Sequence, residues 1–175
     1  RLAERLSHVN LTYFEQPVPP QAMANLKWVF ERCGVSVVAD ESCYSPFDAA
    51  KIAAAGAADV MAIKFYKCGG MRRGRDIATV AEASNLRANC AGTANGSYIE
   101  AIAGATLCAA IPNHAFGAEF AMGLPAVEED VIIKNRPIDV VDGYCNVPAG
   151  PGLGFEIDAD EVKRHALDRA TVGRK

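Results

Sequence analysis

No stretch of this chain stays apolar long enough to span a bilayer, so composition offers no membrane helix. The run Arg1-Leu2-Ala3-Glu4-Arg5 opens mid-pattern, so no signal peptide is expected and a cytoplasmic location is the default expectation. An excess of one charge is lacking too. Eighteen Lys and Arg against 21 Asp and Glu leave a net charge of −3, which predicts no nucleic-acid partner and no anionic membrane surface. The one basic run, Arg72-Arg73-Gly74-Arg75, lies where a helix should begin and reads as a solvated face or an anion contact. The six cysteines, Cys33, Cys43, Cys68, Cys90, Cys108 and Cys145, form no CxxC or His-paired motif. They are expected to be reduced thiols, mostly buried, rather than disulfides or a zinc site. The three histidines show no metal-ligand spacing; His114 alone lies near a predicted strand end and could reach a pocket. What is present is ample core material, since 50% of the 175 residues are apolar.

The residues are organised as a run of βα units. Leu11 to Phe14 reads as a strand, followed by the loop Pro17-Val18-Pro19-Pro20 and a helix over Gln21 to Arg32. Strand 35–39 is nearly all apolar, as a strand buried on both faces of a parallel sheet should be. Ser45-Pro46 then starts a helix in which Phe47, Ala50, Ile52 and Ala53 can face the core, with Gly56 closing it. Strand 59–64, a helix from about Arg72 to Ser84, strand 87–91, an alanine-rich helix over Tyr98 to Ala110, and a last strand over 114–119 complete the pattern. The alternation predicts a parallel α/β sheet. Beyond Gly123 it stops: Val131-Ile132-Ile133, Asp139-Val140-Val141 and Tyr144 to Val147 read as short antiparallel strands, with Asp142-Gly143 as a tight turn. Asp158 is placed as the N-cap of a final helix reaching Asp168.

Three polar residues stand at strand ends about 25 residues apart: Glu15, Asp40 and Lys64. In a parallel α/β barrel, residues at that position converge on the mouth where such enzymes do their chemistry. Two carboxylates with a lysine beside them suggest a metal site and a base. Five strands are counted, whereas a closed barrel of this type has about eight in about 250 residues, so part of the architecture is expected to lie outside this chain.

The segments Tyr13-Phe14-Glu15-Gln16-Pro17, Ala39-Asp40-Glu41-Ser42, Ile63-Lys64-Phe65-Tyr66-Lys67-Cys68-Gly69-Gly70 and Val147 to Gly154 resemble the enolase superfamily. Within it they resemble the muconate lactonizing branch of the mandelate racemase and muconate lactonizing enzyme group. The resemblance implies the C-terminal part of a (β/α)8-type barrel, parallel strands four to eight over residues 1–125. Residues 126–147 would return to a lid domain, and 148–175 would form a C-terminal loop and helix. It further implies that Glu15 and Asp40 are the fourth- and fifth-strand ligands of Mg2+, with Mn2+ a possible substitute, and that Lys64 is the sixth-strand acid/base. The third-strand aspartate ligand and the second-strand Lys-x-Lys of the family have no match in these residues. Glu41 is expected to orient Lys64 or a ligand, or else to be a plain polar rim residue. Thr93 and Asn95, with Ser97, could bind a substrate carboxylate, or Gly96-Ser97 could simply cap the next helix. Glu119 could orient substrate or pair with a rim cation. Lys67 is placed past the strand, on the loop surface.

The implied chemistry has a physical logic. Removing a proton from carbon next to a carboxylate builds negative charge, which a hard cation held by oxygen ligands stabilises. A lysine acting as base must lose its own proton, and a nearby cation and partial burial both depress its pKa. The expected activity is a muconate cycloisomerase-like isomerase acting on a small carboxylate. Alternatives are a racemase, epimerase or dehydratase of an amino or hydroxy acid such as a proline derivative. A non-catalytic fragment or structural half-barrel is the reading from a different class. A homo-oligomer is expected for the full-length protein. The seventh strand, ending Cys90-Ala91-Gly92-Thr93, lacks the histidine of the mandelate racemase branch, which argues for a lysine mechanism. The Asp-x-Asp of dipeptide epimerases is not visible in Gly117-Ala118-Glu119-Phe120.

Overall fold

A computed structural model of the chain describes residues 2–6, 8–92, 97–119, 134 and 140–166. After a single turn of helix, α1 (Leu2–Arg5), four βα-type strands follow: β1 (Tyr13–Glu15), β2 (Ser36–Ala39), β3 (Val60–Ile63) and β4 (Arg87–Cys90). They form one sheet in the order β1-β2-β3-β4, and every neighbouring pair is parallel. Between them run α2 (Met23–Cys33), α3 (Pro46–Ala55), the one-turn α4 (Phe65–Cys68) and α5 (Met71–Ala83). The α6 helix (Tyr98–Ala110) follows β4. The predicted last strand is reduced to two isolated parallel bridges, Ala88 with His114 and Ala91 with Glu119. The chain there follows the sheet edge but lifts away between the two bridges at Phe116-Gly117, both with positive φ.

Strand alternation divides the core in two. Val37, Ala39, Met61, Ile63, Ala88 and Cys90 face the helices and join Leu26, Ile52, Ile77 and Leu107 in the main core. Val38, Val60 and Ala62 point the other way and pack with Ala115, Tyr13 and Phe116. The sheet is curved, because Tyr13 on β1 reaches across this inner face to stack on Phe116, ring centroids 4.8 Å apart. A flat sheet would hold those two residues four strand spacings apart.

Local signals set the helix ends. Ser45 Oγ accepts from Asp48 N at 3.2 Å, Pro46 occupies the first turn, and Gly56 adopts the left-handed conformation that ends α3. Its buried face differs from the prediction: Ala49 and Ile52 are buried, whereas Phe47 is 76% exposed and Ala50 lies outside. A pair three residues apart is all the sheet-facing stripe of this short helix accommodates, and Phe47 falls off its edge. Arg72, Arg73 and Arg75 are exposed, the solvated face expected of the basic run, while Gly74 is buried.

The chain ends in a two-stranded antiparallel hairpin, β5 (Val140–Val141) and β6 (Tyr144–Cys145), turning at Asp142-Gly143, and α7 (Ala159–His165) with Asp158 as N-cap. The predicted strand 131–133 lies outside the described residues. Among the described residues no helix is long and apolar enough to cross a membrane. The cysteines are free, with Cys43, Cys68 and Cys90 buried and Cys33, Cys108 and Cys145 half-buried, so burial is less general than composition suggests.

Candidate active site

Glu15 is the last residue of β1, and Asp40 and Lys64 directly follow β2 and β3. The register pairs Glu15 with Val38, and alternation from Ala39 and Ile63 turns the next residues, Asp40 and Lys64, to the same inner face. The three side chains meet there. Lys64 Nζ donates to Asp40 Oδ2 at 2.5 Å and reaches Glu15 Oε1 at 3.5 Å.

Lys67 is a correction to the sequence reading. Its side chain is 1% exposed rather than on the loop surface, and Nζ donates to Asp40 Oδ1 at 2.5 Å, the Asp40 carbonyl at 2.6 Å and the Ala62 carbonyl at 3.0 Å. The one-turn α4, closed by Gly69 in a left-handed conformation, folds Lys67 back over the end of β2. The ring of Tyr44 covers the ammonium at 5.6 Å. Asp40 is thus gripped by two lysines.

A second residue missed by sequence reasoning is Gln16, whose positive φ of 37° strains the backbone just after β1. Its Oε1 accepts from the amides of Asp40 and Ser42, each at 3.0 Å, and Nε2 donates to the Val18 carbonyl and Ser42 Oγ. Those four bonds fix the loops at the ends of β1 and β2, so the distance between Glu15 and Asp40 is built in. The signal was the Glu-Gln-Pro triplet itself, a polar residue placed where the chain must turn sharply.

The electrostatics follow from the crowding. Burial and the close approach of Asp40 push the Glu15 carboxyl upward, with Lys64 pulling the other way. For Asp40, burial also acts upward, but the hydrogen bonds from Lys64 and Lys67 outweigh it and hold the acid below its ordinary value. Burial alone would lower Lys64; the Asp40 hydrogen bond and the two carboxylates overcome it, so the ammonium is held well above the usual lysine range. The depressed lysine expected from sequence is therefore not what these residues produce by themselves.

Glu119 also faces inward. It accepts from Tyr13 Oη at 2.6 Å and lies 3.5 Å from Nδ2 of Asn89, a residue 1% exposed. That hydrogen bond, then burial, drives the Tyr13 hydroxyl up to about 12. Among the described residues no cation pairs with Glu119. Glu41 is exposed and makes no hydrogen bond or ion pair with Lys64 or either carboxylate, the arrangement of its polar-rim alternative. Ser97 caps α6, accepting from Glu100 N. Thr93 and Asn95 lie outside the described residues.

The donor set suits a hard divalent cation. It is all oxygen, and its two carboxylates converge on one cationic point, marked by Lys64 Nζ.

Compared with known families, residues 1–162 match the one described as enolase C-terminal domain-like. The chain belongs to the mandelate racemase/muconate lactonizing enzyme group of the enolase superfamily. Muconate cycloisomerase 1 of Rhodococcus opacus is 36% identical over 159 residues, covering 91% of this chain and 42% of the relative. Among solved structures, 2-chloromuconate cycloisomerase from Rhodococcus opacus 1CP superposes with a TM-score of 0.82 at 30% identity, over 94% of this chain and 43% of that one. A dipeptide epimerase from Enterococcus faecalis V583, solved with Mg and the dipeptide L-Leu-L-Tyr, gives 0.67 at 26% identity over 89% of this chain and 40% of that one. The chain thus spans less than half the length of these superfamily members, and the part it spans is their C-terminal barrel region.

Proposed function

We propose that this chain carries the acid/base half of an enolase-superfamily active site that moves a proton at the carbon next to a substrate carboxylate, in the manner of a muconate cycloisomerase. The observation that carries this reading is the placement of Lys64 Nζ between the carboxylates of Glu15 and Asp40 at three consecutive strand ends. Glu15 and Asp40 would hold Mg2+, with further ligands drawn from outside these residues. When bound, the ion neutralises the carboxylate charge and stabilises the negative charge that builds on the substrate carboxylate.

The chain's own residues then divide the work. Lys64 holds or takes the proton at the carbon next to the carboxylate: during lactone closure it gives a proton to that carbon, and during opening it removes one. Lys67, fully buried, keeps Asp40 in a single orientation and does not reach the open face. Gln16 fixes the loop spacing. Glu119, held by Tyr13 and Asn89, presents a positioned carboxylate on the same inner face for orienting substrate.

A racemase or epimerase is the second reading, favoured by the likeness to the dipeptide epimerase, since one lysine can remove a proton that another group returns. A small carboxylate is the substrate class in both. The experiment is magnesium titration calorimetry on this chain, followed by exchange of the α-proton of cis,cis-muconate lactone and of cyclic amino acids in deuterated water. Binding should be lost in Glu15→Gln and Asp40→Asn, and Lys64→Met should keep binding but abolish exchange. Binding that survives both carboxylate changes would sink the metal assignment. Exchange unaffected in Lys64→Met would sink the base assignment, and no binding at all would favour a non-catalytic fragment.

A further inference from the structure

A second cluster of ionisable side chains lies on the opposite face of the sheet from Lys64. Cys90 ends β4 and points with Ala88 into the helix-facing core. Cys108 sits in the last turn of α6, and His114 lies where the chain rejoins the sheet beside Ala88. One ligand atom from each lies within 4.8 Å of the other two. Nothing in the sequence spacing shows this, because the three residues come from three separate elements.

Cys90 is buried to 1% exposure, while Cys108 and His114 line a pocket of about 370 Å3. Its far wall is the β5–β6 hairpin, including Cys145. Two facts point to a ligand here. His114 Nε2 is buried with no hydrogen-bond partner among the described residues, and a buried polar atom ordinarily has one. The pocket, moreover, leaves an open side to the cluster, as a bound ion with a free coordination position requires.

We propose that Cys90, Cys108 and His114 form a three-ligand site for a thiophilic divalent cation, with Zn2+ the fitting ion and the fourth position open to the pocket. Two sulfurs and an imidazole nitrogen are the donors such an ion prefers over the hard, all-oxygen set at Glu15 and Asp40. Tetrahedral zinc places its ligand atoms about 3.4–3.8 Å apart, so the cluster needs to close by only about 1 Å. Binding releases the two thiol protons to solvent and transfers no electrons. The ion would tie the end of β4 to α6 and to the returning chain, where the last strand is held by two bridges alone.

Co2+ titrated into the reduced, metal-free chain tests this, because thiolate-bound tetrahedral cobalt gives a near-ultraviolet charge-transfer band and intense visible bands that magnesium-type oxygen sites do not. The expected result is that one equivalent of Co2+ develops these bands, which Zn2+ bleaches and which are lost in Cys90→Ala and in Cys108→Ala. They should persist in Asp40→Asn, which separates this site from the carboxylate pair. Should either cysteine variant fail to fold, alkylation of the wild-type chain gives the same answer: Zn2+ should protect Cys108 and Mg2+ should not. Absence of charge transfer in the wild-type chain overturns the proposal, as does a band that survives loss of both cysteines or alkylation indifferent to Zn2+.

Discussion

Asp40 shows how a single residue can be both ligand and liability. It is a buried carboxylate, and Lys67 is its fully buried counter-ion as well as the donor to two strand-end carbonyls. Removing Lys67 leaves Asp40 still paired with Lys64 but strips its second cation and the donor to two carbonyls, so Lys67→Met should cost about 1–3 kcal/mol in urea denaturation. A loss under about 1 kcal/mol would show that water screens Asp40 after all. Glu15 behaves oppositely. Its folded pKa is raised, so its contribution to stability is fully present below the ordinary glutamate value of 4.5 and lost as pH rises through the raised one. At neutral pH in a chelating buffer, Glu15→Gln should therefore shift the urea midpoint upward, and the gain should vanish below about pH 4. A midpoint that falls at pH 7 would mean the Lys64 contact outweighs burial and the carboxylate repulsion. Glu15, Asp40 and Lys64 were legible in sequence because each ends a strand in a regular repeat. Lys67 was not, because its role depends on a one-turn helix whose closure at Gly69 reverses the side chain toward the core.

Among the elements, α5 has the tightest seat. A Cβ on Gly74 would stand 2.9 Å from Ile63 Cγ2 and 3.2 Å from both Leu107 Cδ2 and Phe65 Cε1. Ordinarily glycine to alanine within a helix gains about 1 kcal/mol. Here the nearest atom belongs to a β-branched side chain fixed in the central strand, and overpacking costs about 1–3 kcal/mol. Gly74→Ala should thus destabilise by about 1 kcal/mol, with Gly74→Val markedly worse; thermal unfolding of the pair decides it, and a stabilised alanine variant would show that α5 can slide outward. Element type and order were readable because helical and strand periods alternate cleanly from β1 to α6. What periodicity could not show was the fate of the last strand: residues 114–119 have strand composition, but the positive φ of Phe116 and Gly117 breaks the ladder to two bridges. The core face of α3 was misjudged for a related reason, since with ten residues several stripes fit equally well and packing against the sheet selects Ala49 and Ile52.

Across the whole molecule, one side-chain pair measures whether the sheet is curved as a barrel segment. Tyr13 and Glu119 are 106 residues apart, on the first strand and the final bridge, and they meet at 2.6 Å across the inner face. Curvature alone brings them together, so the strength of that contact reports the closure of the arc that also aims Glu15, Asp40 and Lys64 at one point. The Tyr13 hydroxyl has its folded pKa raised to about 12 by the Glu119 hydrogen bond first and burial second. A raised value means the contribution is fully present below the ordinary tyrosine value of 10 and is lost as pH rises through about 12. The wild-type chain should accordingly lose more stability over that window than Tyr13→Phe, which lacks this group. At neutral pH the phenylalanine variant keeps the stacking on Phe116 and should lose on the order of 1 kcal/mol, toward the low end for a hydrogen bond to a charged acceptor because both groups are only half-buried. Combined with Glu119→Gln in a double-mutant cycle, the two changes should be clearly non-additive. Additive losses would mean that β1 and the final segment do not meet in solution, and the convergence of the three strand-end residues would lose its structural basis with them.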